Sequence, residues 1–139
     1  MKIKQKDLAI IAGCGNMGAS IAFMLSEQGK DVKIIDMDRD SFQNLGNHLE
    51  IEKLEADAAD IDILKQCGIE RAAIFLAATG SDRTNIMIAE IVKQVFKVQK
   101  VVARIYDYKA NEQFVDGSEI IPIYPYLLTV QELERCFNE

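Results

Sequence analysis

Residues 7–18 read DLAIIAGCGNMG, and this stretch decides the fold of the 139-residue chain. Its first half is a short apolar run that ends at Gly13, which predicts a buried β-strand followed by a tight turn. Beyond the turn, Met17, Ile21 and Leu25 recur at helical spacing until Gly29, a residue typical of a helix C-terminus. The chain therefore opens with a strand, a glycine-rich loop and a helix, a combination typical of parallel sheets.

The remainder of the chain repeats this alternation of short apolar runs and amphipathic segments. Further strands are predicted over residues 32–36, 51–54, 73–78, 100–105 and 119–123. Further helices are predicted over residues 39–47, 60–67, 82–95, 109–115 and 126–137. Short buried strands separated by helices pair in parallel, and right-handed crossovers place helices on both faces of the sheet. The predicted fold class is α/β, a Rossmann-like, doubly wound sheet of six parallel strands.

The composition limits both the size and the partners of this domain. With 49% hydrophobic and 27% charged residues, 139 residues supply one globular core and leave no room for a second domain of ordinary size. The 22 acidic residues outnumber the 16 basic ones, which gives a net charge of −6. An acidic chain disfavours nucleic acid and the anionic face of a membrane as direct partners, because both attract basic proteins.

Neither a membrane span nor a secreted protein is indicated. The strongest apolar run, AAIFLAA at residues 72–78, is far shorter than the roughly 20 residues that cross a bilayer. The basic start of the chain, residues 1–13, does not resemble a cleaved signal, since its apolar run is short and ends in the glycine loop. Cys14, Cys67 and Cys136 lie far apart, which favours a reduced, cytoplasmic protein without disulfides or a zinc site.

The glycine loop 13–18 has the pattern GxGxxG, which suits a bound diphosphate. Gly13 is expected to make the tight turn, Gly15 to let the diphosphate approach the backbone, and Gly18 to allow close packing of helix and strand. The helix that follows presents free N–H groups and the positive end of its dipole to the phosphates. The alternative is a glycine turn needed only for packing.

Asp36, at the end of the second predicted strand, is the candidate for ribose binding. A carboxylate here accepts hydrogen bonds from both ribose hydroxyls and repels a 2′-phosphate, so NAD-type or adenine nucleotides are favoured over NADP. Asp38 is the next candidate, with a solvated loop position as its alternative. Arg39 could accept a 2′-phosphate, but the intact carboxylate of Asp36 argues against NADP.

Later motifs resemble those of one family. Residues 54–60 (LEADAAD), followed by Leu64 and by CGI at 67–69, resemble the GDATD…L…AGI stretch of the TrkA-N family. Further matches follow in order: FLAAT at 75–79 with Asp82 and Asn85, VARI at 102–105, and Phe114 with Gly117. Members of this family are the nucleotide-binding regulatory (RCK or KTN) domains of potassium transporters and channels. The resemblance runs from Leu8 to Pro125, and it predicts a nucleotide-binding domain over residues 1–125.

The resemblance implies further contacts with a nucleotide. Asp57 and Ala58 lie where family members contact the adenine base, through a carboxylate and a backbone group. Ala78 and Thr79 lie where members cover the nucleotide near its phosphates or second ribose. No catalytic residue and no metal ligand is predicted. The nucleotide-contacting set predicted from the residues and the resemblance together is Gly13, Cys14, Gly15, Asn16, Met17, Gly18, Asp36, Met37, Asp38, Asp57, Ala58, Ala78, Thr79, Gly80 and Arg104.

Arg104, at the end of the fifth predicted strand, matches a characteristic arginine of the family beside the site. A guanidinium there could pair with a phosphate or with an acidic loop. An ion pair with Asp57 or Asp82 is the alternative structural role.

Two departures from the family bear on the identity of the nucleotide. Some ATP-responsive members have an arginine where this sequence has Asn16, and that arginine reaches the terminal phosphate. Members with a glutamate directly after the last strand's proline use it near the nucleotide or a cation, whereas Tyr126 follows Pro125 here. These differences weaken a model of ATP with a divalent cation. NAD(H) is therefore the favoured ligand, with ADP, AMP or ATP as alternatives.

Two residues with reactive side chains receive structural interpretations. His48 is the only histidine and has no partner at metal-ligand spacing, which favours a surface or loop position. Cys14 could sense oxidation when the site is empty. Because no nearby lysine or histidine lowers its pKa, the role of a small buried residue is favoured instead.

As a function, the resemblance implies a nucleotide-sensing regulatory subunit or domain that controls potassium transport and is not an enzyme. Its expected partner is a membrane potassium transporter or channel subunit, reached from the cytoplasmic side without direct lipid contact. In the family, a helix in the position of residues 126–139 crosses to a second subunit. The apolar stripe of Tyr126, Val130, Leu133 and Phe137 therefore predicts a homodimer, with a higher ring as an extension.

Two other functions stay open from the sequence. A fragment of an NAD-dependent oxidoreductase would share the glycine loop, but it needs a substrate pocket and an acid/base group. The isolated His48 is a poor candidate for that group, and 139 residues leave no second domain to supply it. A nucleotide-binding interaction subunit whose partner is not a potassium protein is the third possibility.

Overall fold

One parallel sheet forms the centre of the structure, a computed structural model that describes residues 6–115 and 117–139. Its strands are β1 (Leu8–Ala12), β2 (Asp31–Asp36), β3 (Glu52–Glu55), β4 (Ala72–Ala77), β5 (Lys100–Arg104) and β6 (Ile121–Ile123). They lie in the order β3-β2-β1-β4-β5-β6, and every neighbouring pair is parallel. The predicted doubly wound, six-stranded sheet is confirmed. The prediction that the start of the chain is not a cleaved signal falls partly on residues 1–5, which lie outside the described residues.

Five α-helices connect and follow the strands within the described part of the chain. They are α1 (Asn16–Glu27), α2 (Ile61–Gln66), α3 (Asp82–Gln94), α4 (Tyr108–Val115) and α5 (Pro125–Phe137). The helix predicted over residues 39–47 is instead a 3₁₀ helix, Arg39–Leu45. Gly46 and Asn47 are poor helix formers, and short connectors of this kind commonly take the tighter 3₁₀ geometry. The last predicted strand is also shorter than expected, at three residues.

Helices cover the two faces of the sheet with different parts of the core. On one face, α1 and the 3₁₀ helix pack against Ala9, Ile11 and Ile34. On the other face, α2 and α3 pack against Ile10 and Phe75. Because successive residues of β1 point to opposite faces and both faces are covered, every residue of this central strand is buried.

The sheet face beside α1 is left open over β4, β5 and β6. A groove of about 770 Å³ lies there. The helix α5 contributes no buried residue and leaves this face uncovered. No helix in residues 6–115 or 117–139 has the length and apolar character needed to cross a membrane. Apolar residues that line the groove are Met17, Ile21, Leu25, Ala73, Ile74, Leu76, Val102 and Ile123.

Candidate functional site

A second pocket, of about 310 Å³, lies at the carboxyl ends of β1, β2 and β4. The loops that follow parallel strands converge at this edge, where doubly wound sheets bind ligands. Lining residues that the sequence predicted are Gly13, Asp36, Met37, Asp57, Ala58, Thr79 and Gly80. Lining residues that it missed are Ile35, Ala56, Ser81, Thr84 and Ile88. The apolar members of the second set have no sequence signal that separates them from ordinary core.

The glycine loop is fixed by close backbone contacts at two positions. Gly13 has φ +107°, and a Cβ there would lie 2.3 Å from the carbonyl oxygen of Ala78. A Cβ on Gly18 would lie 2.0 Å from the carbonyl oxygen of Gly13. The atom that excludes a side chain at Gly18 therefore belongs to the glycine loop itself, and not to the strand. Gly15 has open space where its Cβ would be. The loop therefore needs two glycines for its own shape and leaves the third facing solvent.

The N-terminus of α1 offers uncapped donors at this loop. Its first intrahelical bond runs from the Ala19 N–H to the Gly15 carbonyl at 2.9 Å, which leaves the preceding N–H groups without helical acceptors. Gly15 occupies the N-cap position without a capping side chain, and the first turn carries no acidic residue. Such an uncompensated helix N-terminus attracts an anion.

Asp36 ends β2, and both of its carboxylate oxygens accept hydrogen bonds, one of them from the glycine loop. Oδ2 accepts a hydrogen bond from the Cys14 N–H at 2.8 Å, and Oδ1 accepts one from the Asp38 N–H at 2.8 Å. Each carboxylate oxygen has a further lone pair that can receive a ribose hydroxyl. Asp38 is exposed, and its side chain caps the 3₁₀ helix by accepting from the Asp40 N–H at 3.0 Å. The structure thus gives Asp38 a local role and leaves Asp36 facing the pocket.

Asp57 and Ala58 form the wall of the pocket that follows β3. Asp57 is exposed, and its Oδ1 accepts a hydrogen bond from the Ala59 N–H at 2.9 Å. Within residues 6–115 and 117–139 its Oδ2 has no protein partner, so one carboxylate oxygen is available to a ligand. Ala58 is buried and is one of the residues that line the pocket.

Thr79 is fully engaged by the protein itself. Its N–H and hydroxyl both donate to Oδ1 of Asn85, at 2.9 and 2.6 Å. Nδ2 of Asn85 donates to the Thr79 carbonyl at 3.1 Å and to the Arg104 carbonyl at 2.9 Å. Asn85 is completely buried and joins the ends of β4 and β5. Thr79 therefore shapes the pocket rim, and its polar atoms are engaged by other residues of the protein, chiefly Asn85.

The sequence contains a signal for the structural role of Asn85. It shares one stripe of α3 with Ile88, Ala89 and Val92, all of which are buried. A polar side chain on an apolar stripe is costly to bury unless every hydrogen bond is satisfied, so it indicates a dedicated structural role.

Arg104 lies on the groove side of the sheet. It is 8% exposed, and its Nη2 donates to the Thr79 carbonyl at 2.6 Å. Its guanidinium carbon lies 4.8 Å from the centre of the Tyr106 ring, and its Nε has no hydrogen-bond partner among the described residues. Neither alternative ion pair, with Asp57 or with Asp82, forms in the described part of the chain. Asp82 is instead engaged by the backbone N–H groups that precede α4.

The remaining predicted residues surround the pocket without lining it. Met17 and Arg104 line the groove, on the other side of the glycine loop. Cys14 and Ala78 are buried beneath the loop, and Asn16 is exposed at the start of α1. The structure therefore divides the predicted set between the pocket, the helix N-terminus and the groove.

Replacing Asn85 with alanine is expected to lower the free energy of unfolding by about 2 kcal/mol. The change leaves the Thr79 N–H and the Arg104 carbonyl without partners in a buried place. Urea denaturation followed by circular dichroism measures the effect. Asn47→Ala, at an exposed position, is the matched control. Equal denaturation midpoints for Asn85→Ala and the wild type would contradict this assignment.

The cysteines and the histidine take structural positions. Burial, assisted by the Asp36 carboxylate, raises the pKa of the Cys14 thiol to about 11. Burial also raises the pKa of Cys67, whereas Cys136 is exposed. The imidazole of His48, in a loop position, packs against the Phe23 ring, with ring centres 4.4 Å apart and the planes tilted by 40°. No three metal-binding side chains cluster in residues 6–115 and 117–139.

At mildly alkaline pH, an aromatic disulfide reagent is expected to modify one thiol of the native protein quickly and all three after denaturation. A raised pKa keeps the thiols of Cys14 and Cys67 protonated and unreactive, and burial excludes the reagent. The release of the reagent's thiolate, read by absorbance, counts the reacting groups. Cys136→Ser should remove the fast phase, and a fast phase that survives this change would show that a buried thiol is accessible.

Comparisons with known proteins agree with this geometry. Residues 9–120 match the TrkA-N domain family. The Trk system potassium uptake protein TrkA of Streptomyces coelicolor is 37% identical over 105 residues, which cover 76% of this chain and 47% of that protein. A TrkA homolog of Pyrococcus horikoshii is 28% identical over 124 residues, covering 89% of this chain and 54% of that protein. The chain thus spans about half the length of these relatives.

Two solved structures share the fold. The TrkA-N domain of the inner membrane protein ybaL from Escherichia coli superposes with a TM-score of 0.80 at 12% identity, covering 96% of this chain and 98% of that one. A GsuK channel bound to NAD superposes with a TM-score of 0.77 at 21% identity, covering 96% of this chain and 24% of that one. Since the family match covers most of the chain and agrees with the motifs, the strand order and the glycine loop, this chain belongs to the TrkA-N domain family.

Proposed function

We propose that this chain is a nucleotide-sensing regulatory domain that binds NAD(H) or an adenine nucleotide. The observation that carries the proposal is the placement of Asp36, whose carboxylate holds the Cys14 N–H beside the uncapped N-terminus of α1. A group that accepts ribose hydroxyls and a group that binds phosphate are therefore adjacent, as an adenosine phosphate requires. The NAD-bound GsuK channel, which has the same fold, supports this choice of ligand.

The pocket fits the adenosine half of such a ligand. The pocket has a volume of about 310 Å³, and Ile35, Ile88 and Asp57 are among the residues that line it. Adenine would lie between these apolar side chains and donate from its amino group to the free Oδ2 of Asp57. The ribose hydroxyls would bind Asp36, and the phosphates would reach the N–H groups of α1. The Asp36 carboxylate would repel a 2′-phosphate, so NAD is favoured over NADP.

A thermal-shift panel with NAD, NADH, NADP, ATP, ADP and AMP tests the ligand class. A ligand that binds only the folded state raises the melting temperature according to its saturation. We expect shifts for NAD, NADH, ADP and AMP, a smaller shift for ATP because Asn16 supplies no charge, and none for NADP. A panel without any shift would contradict nucleotide sensing.

The regulatory target that we propose is a membrane potassium transporter or channel subunit, reached from the cytoplasmic side through protein contacts. The support is the 37% identity with a potassium uptake protein, of which this chain spans 47%. Regulation requires that the nucleotide bind two states of the assembly with different free energies. Co-purification with a tagged potassium transport subunit, with and without NAD, tests the partner. We expect NAD to change the amount of transport subunit that co-purifies, by releasing or by strengthening the complex. The absence of any complex would favour a different partner.

We also propose that the segment 126–139, which holds all of α5 except Pro125, crosses to a second copy while residues 1–125 form the nucleotide-binding domain. The observation is that α5 buries none of its residues in its own chain. Tyr126, Leu133 and Phe137 are 69%, 49% and 80% exposed, although they form one apolar stripe. The open groove over β4, β5 and β6 is an apolar surface of the same chain that a partner's helix would cover. The assembly that we propose on these grounds is a homodimer, or a ring built from such dimers.

Leu133→Lys is expected to convert the dimer to a monomer, because it places a charge in the middle of the apolar stripe. Gln131→Lys adds the same charge on the other side of α5 and is the matched control. Sedimentation equilibrium measures the mass of each variant. A wild-type protein that sediments as a monomer at the highest soluble concentration would contradict the crossing helix.

The oxidoreductase alternative makes a different prediction. Hydride transfer requires an acid/base group beside the nicotinamide, whereas the curated relatives that this chain matches are potassium uptake proteins. We therefore propose binding without turnover. Oxidation of NADH in the presence of simple carbonyl compounds, followed by absorbance, would revive the enzyme hypothesis.

A further inference from the structure

The peptide backbone of Cys14 is held by side chains on both of its polar groups. Its N–H donates to Oδ2 of Asp36 at 2.8 Å, as described above. Its carbonyl accepts a hydrogen bond from Nδ2 of Asn44 at 2.9 Å. Asn44 belongs to the 3₁₀ helix that follows β2 and does not line the pocket. Two side chains from outside the glycine loop therefore determine the orientation of this one residue.

The contact from Asn44 also determines where the next N–H points. The Cys14 carbonyl and the Gly15 N–H belong to the same peptide unit, which is planar and trans. In a trans peptide the C=O and N–H bonds point in opposite directions, so turning the carbonyl toward Asn44 turns the Gly15 N–H away from it. Gly15 is exposed at the N-cap of α1, and its N–H has no acceptor in the described part of the chain. Asn44 thereby keeps one donor of the anion-binding loop directed outward.

The 3₁₀ helix gives Asn44 a fixed starting point. Leu45, the next residue, is 2% exposed and packs in the core beside α1 and β2. At the other end, the Asp38 side chain caps the helix at the Asp40 N–H. Asn44 itself is exposed, so removing its amide leaves no cavity in the core. The contact is thus separable from the stability of the domain.

We propose that Asn44 is a positioning residue for phosphate recognition: it orients the Cys14–Gly15 peptide so that the Gly15 N–H is ready to bind the phosphate of the nucleotide. The inference rests on the proposed nucleotide-binding function. Orienting a donor before the ligand arrives strengthens binding, because less freedom is lost when the complex forms. The contribution concerns only ligands that carry a phosphate at this loop.

Asn44→Ala is expected to weaken AMP binding by about three- to tenfold, the effect of one hydrogen bond, and to leave adenosine binding unchanged. Asn47→Ala, an exposed asparagine three residues away, is the matched control and should bind both ligands as the wild type does. Calorimetry measures AMP directly and adenosine by competition. A merely structural role would weaken both ligands together or change the melting temperature without changing their ratio.

The amide resonance of Gly15 in a ¹H–¹⁵N correlation spectrum gives an independent readout. In the wild type this resonance should shift when AMP is added, and the shift should be smaller in Asn44→Ala at equal saturation. If the wild type binds AMP but Asn44→Ala keeps the same ratio of AMP to adenosine affinity, the positioning role is wrong while nucleotide binding stands. If the wild type binds neither ligand, the proposed function fails and the positioning role fails with it.

Discussion

Gly18→Ala is expected to lower the free energy of unfolding by about 3 kcal/mol and to abolish nucleotide binding. The added Cβ would lie 2.0 Å from the Gly13 carbonyl oxygen, which is far too close for two atoms that are not bonded to each other. A backbone carbonyl cannot rotate away like a side chain, so either α1 or the loop must move. Urea denaturation measures the stability loss, and calorimetry with NAD measures the loss of binding.

Gly15→Ala is the matched control for that prediction. Its Cβ would meet no atom within 4 Å, and its φ of −73° suits any residue. The variant should therefore keep the stability of the wild type. It should still weaken NAD binding, because the new methyl group would stand where the diphosphate approaches the backbone. Equal stability of Gly18→Ala and Gly15→Ala would contradict the packing described for the loop.

Asp36→Ala is expected to weaken NAD binding by about 50-fold, since one hydrogen bond to a charged group contributes roughly 1.5–3 kcal/mol and about 2.3 kcal/mol corresponds to 50-fold. The carboxylate has two tasks in this account. It accepts the ribose hydroxyls, and it holds the Cys14 N–H at 2.8 Å. Removing it also removes the charge that repels a 2′-phosphate, so the preference for NAD over NADP should narrow. Calorimetric titrations with both dinucleotides measure the two effects.

Asp38→Ala separates the ribose contact from a general loss of negative charge. Asp38 lies two residues away, and its side chain caps the 3₁₀ helix at Asp40. We expect its replacement to change NAD affinity less than threefold, as is usual for a surface charge. If Asp36→Ala and Asp38→Ala had the same effect, or if Asp36→Ala had none, the ribose assignment would be wrong.

The sequence predicted the sheet because its signals are local. Each strand is a short apolar run, and Gly13 marks the turn after the first one. Asp60 stands at the start of the helix predicted over residues 60–67, where an aspartate favours an N-cap, and its side chain accepts from the Asp62 N–H. Ser81 stands directly before the helix predicted over residues 82–95, and it caps α3 by accepting from the Thr84 N–H at 3.2 Å. Propensity, capping and apolar spacing agree at these places, and such agreement makes a fold readable.

The contacts that shape the site could not be read in the same way, because they join residues distant in sequence. Asn85 meets Arg104 nineteen positions later, and Asn44 meets Cys14 thirty positions earlier. No spacing rule predicts such pairs. The sequence also contains no signal that the predicted nucleotide-contacting residues divide between the pocket and the groove. Met17 and Arg104 line the groove, whereas others of the set line the pocket.

The central claim is that this domain binds NAD(H) or an adenine nucleotide at the loop 13–18 and Asp36. A calorimetric titration of NAD into the wild-type protein, repeated with Asp36→Ala, tests it most directly. We expect saturable binding of one NAD per chain to the wild type and an affinity lower by about 50-fold in the variant. The absence of saturable binding to the wild type, or equal affinities of the two proteins, would contradict it.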